Sequence, residues 1–169
     1  MKNKECYQGL ETGPIRPPSE AGSLMLKVTR NCPWNQCKFC GLYKGKKFSI
    51  RPVDHVKQDI NMLRKHVDRI KAVMEPQDAV TANLKAVFDG VNKEEQASFH
   101  SALNWYREGM ESVFLQDANT LIIKPDDLVE ILTHLKHLFP QIQRITSYAR
   151  SHTRLSKIDS SIISIYYIN

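Results

Sequence analysis

Between Leu24 and Tyr148 the sequence alternates short apolar runs with long amphipathic segments, and that alternation sharply limits the folds open to it. Three runs read as strands: Leu24–Thr29 (Leu-Met-Leu-Lys-Val-Thr), Ser112–Gln116 (Ser-Val-Phe-Leu-Gln) and Arg144–Tyr148 (Arg-Ile-Thr-Ser-Tyr). The first is nearly continuous in apolar residues, as expected of a parallel strand covered on both faces. Residues 52–74 carry Val53, Val56, Ile60, Leu63, Val67, Ile70 and Met74 at steps of three and four. That spacing predicts a helix with one buried stripe. A weaker helix is predicted over Ala79–Phe88, and another over Lys93–Arg107 that closes at Glu108-Gly109. Lys124-Pro125-Asp126-Asp127 opens a further helix, with proline and acids in its first turn and a stripe of Leu128, Ile131, Leu132, Leu135 and Leu138. Both features suit a helix N-terminus. Strand, helices, strand, helix, strand is the order of parallel βα units joined by right-handed crossovers. The expected class is therefore α/β.

The flanks differ. Residues 1–22 are rich in glycine and proline and read as a lead-in, and residues 23–150 hold the βα units. Residues 151–169 break the pattern: Ser151–Asp159 is short and polar where a crossover helix is expected, and Ser160–Ile168 is apolar, aromatic and β-branched. They are read as an atypical tail on a domain cut short. At 169 residues the chain is long enough for one domain with a proper core. It has no apolar run of about 18 residues, so no membrane span is expected, and its N-terminus lacks the apolar segment of a secretory signal. A cytoplasmic location follows as the expectation. The net charge of +6 is spread along the sequence. A solvated basic face explains it, and nucleic acid is an unlikely partner that the charge alone does not exclude.

Cys32, Cys37 and Cys40 fall within nine residues, directly after the first strand. Clustered cysteines in a reducing compartment point to metal ligation more than to disulfides, and thiolates select zinc or iron–sulfur clusters. Several readings of C-x4-C-x2-C stand side by side. A plant-type ferredoxin site begins with this spacing but needs a fourth cysteine downstream, and none follows Cys40. A structural zinc site would need Cys6 or His55 as its fourth ligand. A four-iron cluster could use three thiolates and leave one iron for a small molecule. Cys6 otherwise reads as a free thiol. His55 and His66 fall on the polar side of the 52–74 helix and are expected in solvent.

The residues Ile15-Arg16-Pro17-Pro18-Ser19-Glu20-Ala21, the strand Leu24–Val28 and the run Thr29-Arg30-Asn31-Cys32-Pro33-Trp34-Asn35-Gln36-Cys37-Lys38-Phe39-Cys40 resemble the start of a radical S-adenosylmethionine protein. More narrowly, they resemble bacterial members whose first loop reads CPWN-x-C-x-F-C. The commonest superfamily spacing is C-x3-C-x2-C, and this chain has one more residue between Cys32 and Cys37. The resemblance implies a partial (β/α) barrel with about the first three of its βα units present. It implies that Cys32, Cys37 and Cys40 ligate a 4Fe-4S cluster and that S-adenosylmethionine completes the fourth iron. Phe39 would lie near the adenine. The Gly-Gly-Glu turn that many members carry after the second strand is replaced here by Gln116-Asp117-Ala118-Asn119. Asp117 would be the first substitute to receive the ammonium of S-adenosylmethionine, with Gln116 and Asn119 next. Arg150 would pair with its carboxylate, and Ser147 would meet its ribose or carboxylate. Reductive cleavage to a 5′-deoxyadenosyl radical would follow, fed by an electron donor such as flavodoxin or ferredoxin, on a substrate that the sequence does not name. A non-catalytic module holding zinc or an electron-transfer cluster is the alternative.

Overall fold

The computed structural model describes residues 5–74, 88–150 and 164–168, with the backbone alone at Arg150 and 164–168. Its regular elements are β1 (Leu24–Lys27), β2 (Thr29–Arg30), β3 (Ser49–Ile50), α1 (Val53–Met74), α2 (Gln96–Arg107), β4 (Ser112–Gln116), α3 (Pro125–Leu138), β5 (Arg144–Arg150) and β6 (Ser164–Ile168). Short 3-10 turns lie at Pro18–Glu20, Lys93–Glu95 and Thr120–Ile122.

The protein is mixed α/β, built on a four-stranded sheet in the order β1-β4-β5-β6. All three pairings in that sheet are parallel. One face is covered by helices. Leu24 and Leu26 of β1, Val113 and Leu115 of β4, and Ile145 and Ala149 of β5 join one core with Val56, Ile60, Leu63, Val67 and Ile70 of α1. Phe99, Ala102 and Trp105 of α2 and Leu128, Ile131, Leu132 and Leu135 of α3 complete it. Burying each large aliphatic side chain contributes about 1.5–3 kcal/mol, so the α1 stripe is a principal source of stability. The alternate positions, Met25 and Lys27, Phe114 and Gln116, and Thr146 and Tyr148, turn to the opposite face. There Phe114 and Tyr148 meet edge to face, with ring centroids 5.3 Å apart.

Three expectations change. The run Leu24–Thr29 is not one strand: β1 ends at Lys27, and Thr29–Arg30 pairs antiparallel with Ser49–Ile50 in a separate two-stranded ribbon. β5 runs to Arg150 rather than stopping at Tyr148. Within the atypical tail, Ser164–Ile168 adds a fourth parallel strand beside β5. Finally, His55 and His66 are buried. α1 packs against both α2 and α3, so more than one stripe of its surface is covered, and Tyr7 of the lead-in lies edge-on to His55 at 5.6 Å. The helix predicted over Ala79–Phe88 lies outside the described residues except for Phe88. Among the described residues no helix is long and apolar enough to cross a membrane.

Candidate functional site

The three cysteines sit on one excursion of the chain, residues 31–48, closed at its base by the β2–β3 ribbon. It leaves from the C-terminal end of β1, the end at which parallel α/β sheets bind their ligands. Two asparagines shape it. Asn31 and Asn35 have φ of 64° and 50°, a left-handed conformation that asparagine tolerates better than other side chains with a Cβ. Their amides then cross the excursion: Asn31 Nδ2 donates to Lys47 O at 2.7 Å and Asn35 Nδ2 to Lys46 O at 2.9 Å. A turn in which Cys40 N donates to Cys37 O at 3.4 Å links those two cysteines.

The excursion is tied to the end of β4 through Asp117. Its buried carboxylate accepts from Tyr43 Oη at 2.8 Å and from Asn31 N at 3.2 Å, and Lys27 Nζ lies 3.6 Å away. Burial, the bond to Asp117 and the charges of Asp117, Cys32 and Cys40 all push the Tyr43 hydroxyl pKa well up. The backbone N–H groups of Tyr43 and Leu42 hold the Cys40 thiol pKa below its ordinary value, favouring the thiolate.

The lead-in crosses the same edge. Glu11 accepts from Arg30 Nε at 2.7 Å and Nη2 at 2.6 Å, and its carboxylate lies 2.9 Å from Arg51 Nε and 3.8 Å from Lys27 Nζ. Arg51 reaches on to Asp59 at 2.5 Å, where Tyr7 Oη also donates at 2.8 Å. Burial opposes ionisation of Glu11, but the hydrogen bond from Arg30 and the charges of Arg51, Arg30 and Lys27 outweigh it and hold its carboxyl below the usual range. At Asp59 burial wins, and the carboxyl is raised despite Arg51. Gly13 passes so close that a Cβ there would stand 2.2 Å from Asp117 Oδ1.

The predicted site residues divide between these surroundings. Asp117 stands at the excursion, but its carboxylate is committed to Tyr43 and Asn31. Gln116 is buried, and its amide holds the lead-in: Gly13 N donates to Oε1 at 2.7 Å and Nε2 donates to Ile15 O at 2.8 Å. Asn119 is buried just before the 3-10 turn at Thr120. Ser147 alternates onto the helix-covered face, with its hydroxyl 3.3 Å from Leu115 O and 3.1 Å from Tyr148 O, so it is not brought to the excursion. Arg150 ends β5 opposite Ile168, and the role predicted for its side chain lies outside the described residues. Phe39 is 88% exposed and offers a bare ring. Cys6 is exposed and Cys32, Cys37 and Cys40 are partly buried, and all four thiols are free of disulfides.

Among the described residues no three His, Cys, Asp or Glu side chains are already gathered to hold a metal ion. The donor chemistry nevertheless fits an iron–sulfur cluster: three free thiols on one excursion, with Cys40 biased toward the thiolate. Glu11, Arg30, Tyr43, Arg51 and Asp59 carry no motif that marks them in sequence. The one available signal is that Arg30 and Arg51 flank the cysteine run on either side. The chain matches no family model, no curated protein and no solved structure.

Proposed function

We propose that this chain is a radical S-adenosylmethionine protein in which Cys32, Cys37 and Cys40 hold a 4Fe-4S cluster. The observation that carries the reading is the attachment of the C-x4-C-x2-C excursion to the C-terminal end of a parallel strand and, through Asp117, to the end of the neighbouring strand. The finer fold, the opening part of a (β/α) barrel, has support in the strand order. Strands follow one another across the sheet in chain order with no reversal, as they do when successive crossovers wind the same way. A doubly wound sheet reverses its order.

The chemistry such a cluster supplies is one electron for cleavage of the sulfonium C–S bond, giving methionine and a 5′-deoxyadenosyl radical from S-adenosylmethionine. The chain's own residues do the rest. The N–H groups of Leu42 and Tyr43 stabilise the Cys40 thiolate as a ligand. Asp117 clamps the excursion through Tyr43 and Asn31. Its commitment there makes it an anchor of the ligand loop rather than the acceptor for an ammonium. Phe39 presents an open ring for an adenine.

Anaerobic reconstitution with iron and sulfide tests the reading. About four irons per chain, a cluster absorption band that changes on adding S-adenosylmethionine, and loss of both in Cys37→Ala are the expected results. One zinc per chain with no iron taken up overturns it in favour of a structural module. A cluster indifferent to S-adenosylmethionine assigns the chain to electron transfer instead.

A further inference from the structure

Lys27, Arg30 and Arg51 converge on a single carboxylate, and they come from three different places: the end of β1, the end of β2 and the residue before Pro52 at the start of α1. All three side chains are largely buried, with exposures of 12%, 21% and 1%. Gathering like charges away from water is costly unless an anion relieves it. In this structure the anion is Glu11, a residue of the lead-in. It meets Arg30 in the paired N–H geometry by which guanidinium recognises carboxylates and phosphates.

The charge balance depends on that lead-in. Among the described residues four carboxylates face the three cations: Asp59 and Asp117 belong to α1 and the end of β4, and Glu5 and Glu11 belong to the lead-in. Without the two lead-in acids, three cations would face two carboxylates, and Arg30 would lose both its partners. The lead-in is also irregular. Residues 5–15 form no helix or strand; besides these ion pairs they are attached by Tyr7 to Asp59 and His55, by Gly13 and Ile15 to Gln116, and by Leu10 packed on the core. Arg51 is held independently of the lead-in: its Nη1 donates to Lys27 O at 2.8 Å and to Asp59, and its backbone N to Val28 O at 3.1 Å, while Lys27 Nζ keeps Asp117 at 3.6 Å.

We infer that Lys27, Arg30 and Arg51 form a binding site for a small oxyanion ligand, a carboxylate or a phosphate ester, and that Glu11 occupies it as a tethered surrogate. The lead-in is then a strap across the ligand-binding end of the sheet, and an anionic ligand enters by displacing Glu11. The site does not depend on the cysteines holding a cluster.

The test is isothermal titration of the full-length protein and of Glu11→Gln with inorganic phosphate and, separately, succinate, with ionic strength held constant by chloride. Glu11→Gln keeps the shape of the side chain and removes its charge. It is expected to bind one of the two anions at least about tenfold more tightly than the parent protein, a gain of about 1.4 kcal/mol. Adding Arg30→Gln is expected to abolish that binding. The arm that responds tells phosphate chemistry from carboxylate chemistry. A folded Glu11→Gln that binds neither anion better than the parent, or whose binding survives Arg30→Gln, overturns the inference. If Glu11→Gln does not fold, amide exchange of residues 5–15 in the parent protein decides. Faster exchange in phosphate or succinate than in chloride of equal ionic strength supports the strap, and unchanged exchange in both overturns it.

Discussion

Tyr43→Phe removes one hydroxyl from the cysteine excursion and leaves the ring in place. Tyr43 is 2% exposed, and its hydroxyl donates to a carboxylate that is itself fully buried. A hydrogen bond to a charged group contributes about 1.5–3 kcal/mol net. Asn31 N at 3.2 Å and Lys27 Nζ at 3.6 Å remain as partners of Asp117, so the carboxylate is not left bare and the lower part of that range applies. The expected loss is about 2 kcal/mol. In a domain of this size each kcal/mol lowers Tm by roughly 2–4 °C, so the midpoint should fall by about 4–8 °C. Urea unfolding followed by circular dichroism measures the loss. A double-mutant cycle with Asp117→Asn isolates the bond, with a coupling of about 1 kcal/mol or more expected between residues in direct contact. The reasoning also places the effect locally: the Asn31 amide should exchange faster in Tyr43→Phe. A variant within about 0.5 kcal/mol of the parent, or one whose effect simply adds to that of Asp117→Asn, would refute the claim that this bond anchors the excursion.

Other outcomes follow from the same geometry. In the metal-free protein, alkylation of Cys40 read by mass spectrometry should reach half its maximal rate below the ordinary thiol value of about 8.5, because two backbone N–H groups favour its thiolate; a midpoint at or above that value contradicts the assignment. Burial lowers the His66 pKa against the opposing charge of Glu95, with Lys65 and Arg69 adding to the shift. The unfolded chain therefore takes up this proton first as pH falls. The contribution of neutral His66 is intact above its unfolded pKa of about 6.5 and is lost below it, so His66→Gln should flatten the fall in urea midpoint between about pH 7.5 and about pH 5.5. A slope unchanged by the substitution removes His66 as its source. Gly13→Ala would set a Cβ 2.2 Å from Asp117 Oδ1. The resulting overpacking should cost about 1–3 kcal/mol in the same urea assay, and a neutral result would mean the lead-in does not pass where the structure has it.

The elements with the strongest periodicity are legible in the sequence. The stripe from Val56 to Ile70 repeats at helical spacing over several turns, and the structure buries those residues in α1. Pro125 with its two following acids marked the start of α3, and the strand runs at Ser112 and Arg144 begin where the structure begins them. The site was legible only in its cysteines. Nothing in the order of residues marks Glu11 as the partner of Arg30 and Arg51, because an ion pair leaves no periodic trace and its members come from separate elements. His55 and His66 were misplaced for a related reason. A single helix shows its most apolar face, but not that a second helix and a lead-in cover its flanks.

The sequence by itself determined which segments form helices and strands, that the strands alternate with helices into an α/β unit, and that three thiols follow the first strand. Those properties are local: backbone periodicity and residue chemistry act over a few neighbours. Only the tertiary structure decided that residues 164–168 extend the sheet, that Asp117 anchors the cysteine excursion, and that the lead-in lays Glu11 on three buried cations. Each of these depends on contacts between residues far apart in the chain, such as Asp117 with Tyr43, 74 positions away. Such contacts form when the core brings the strand ends to one edge and the desolvated charges there must find partners.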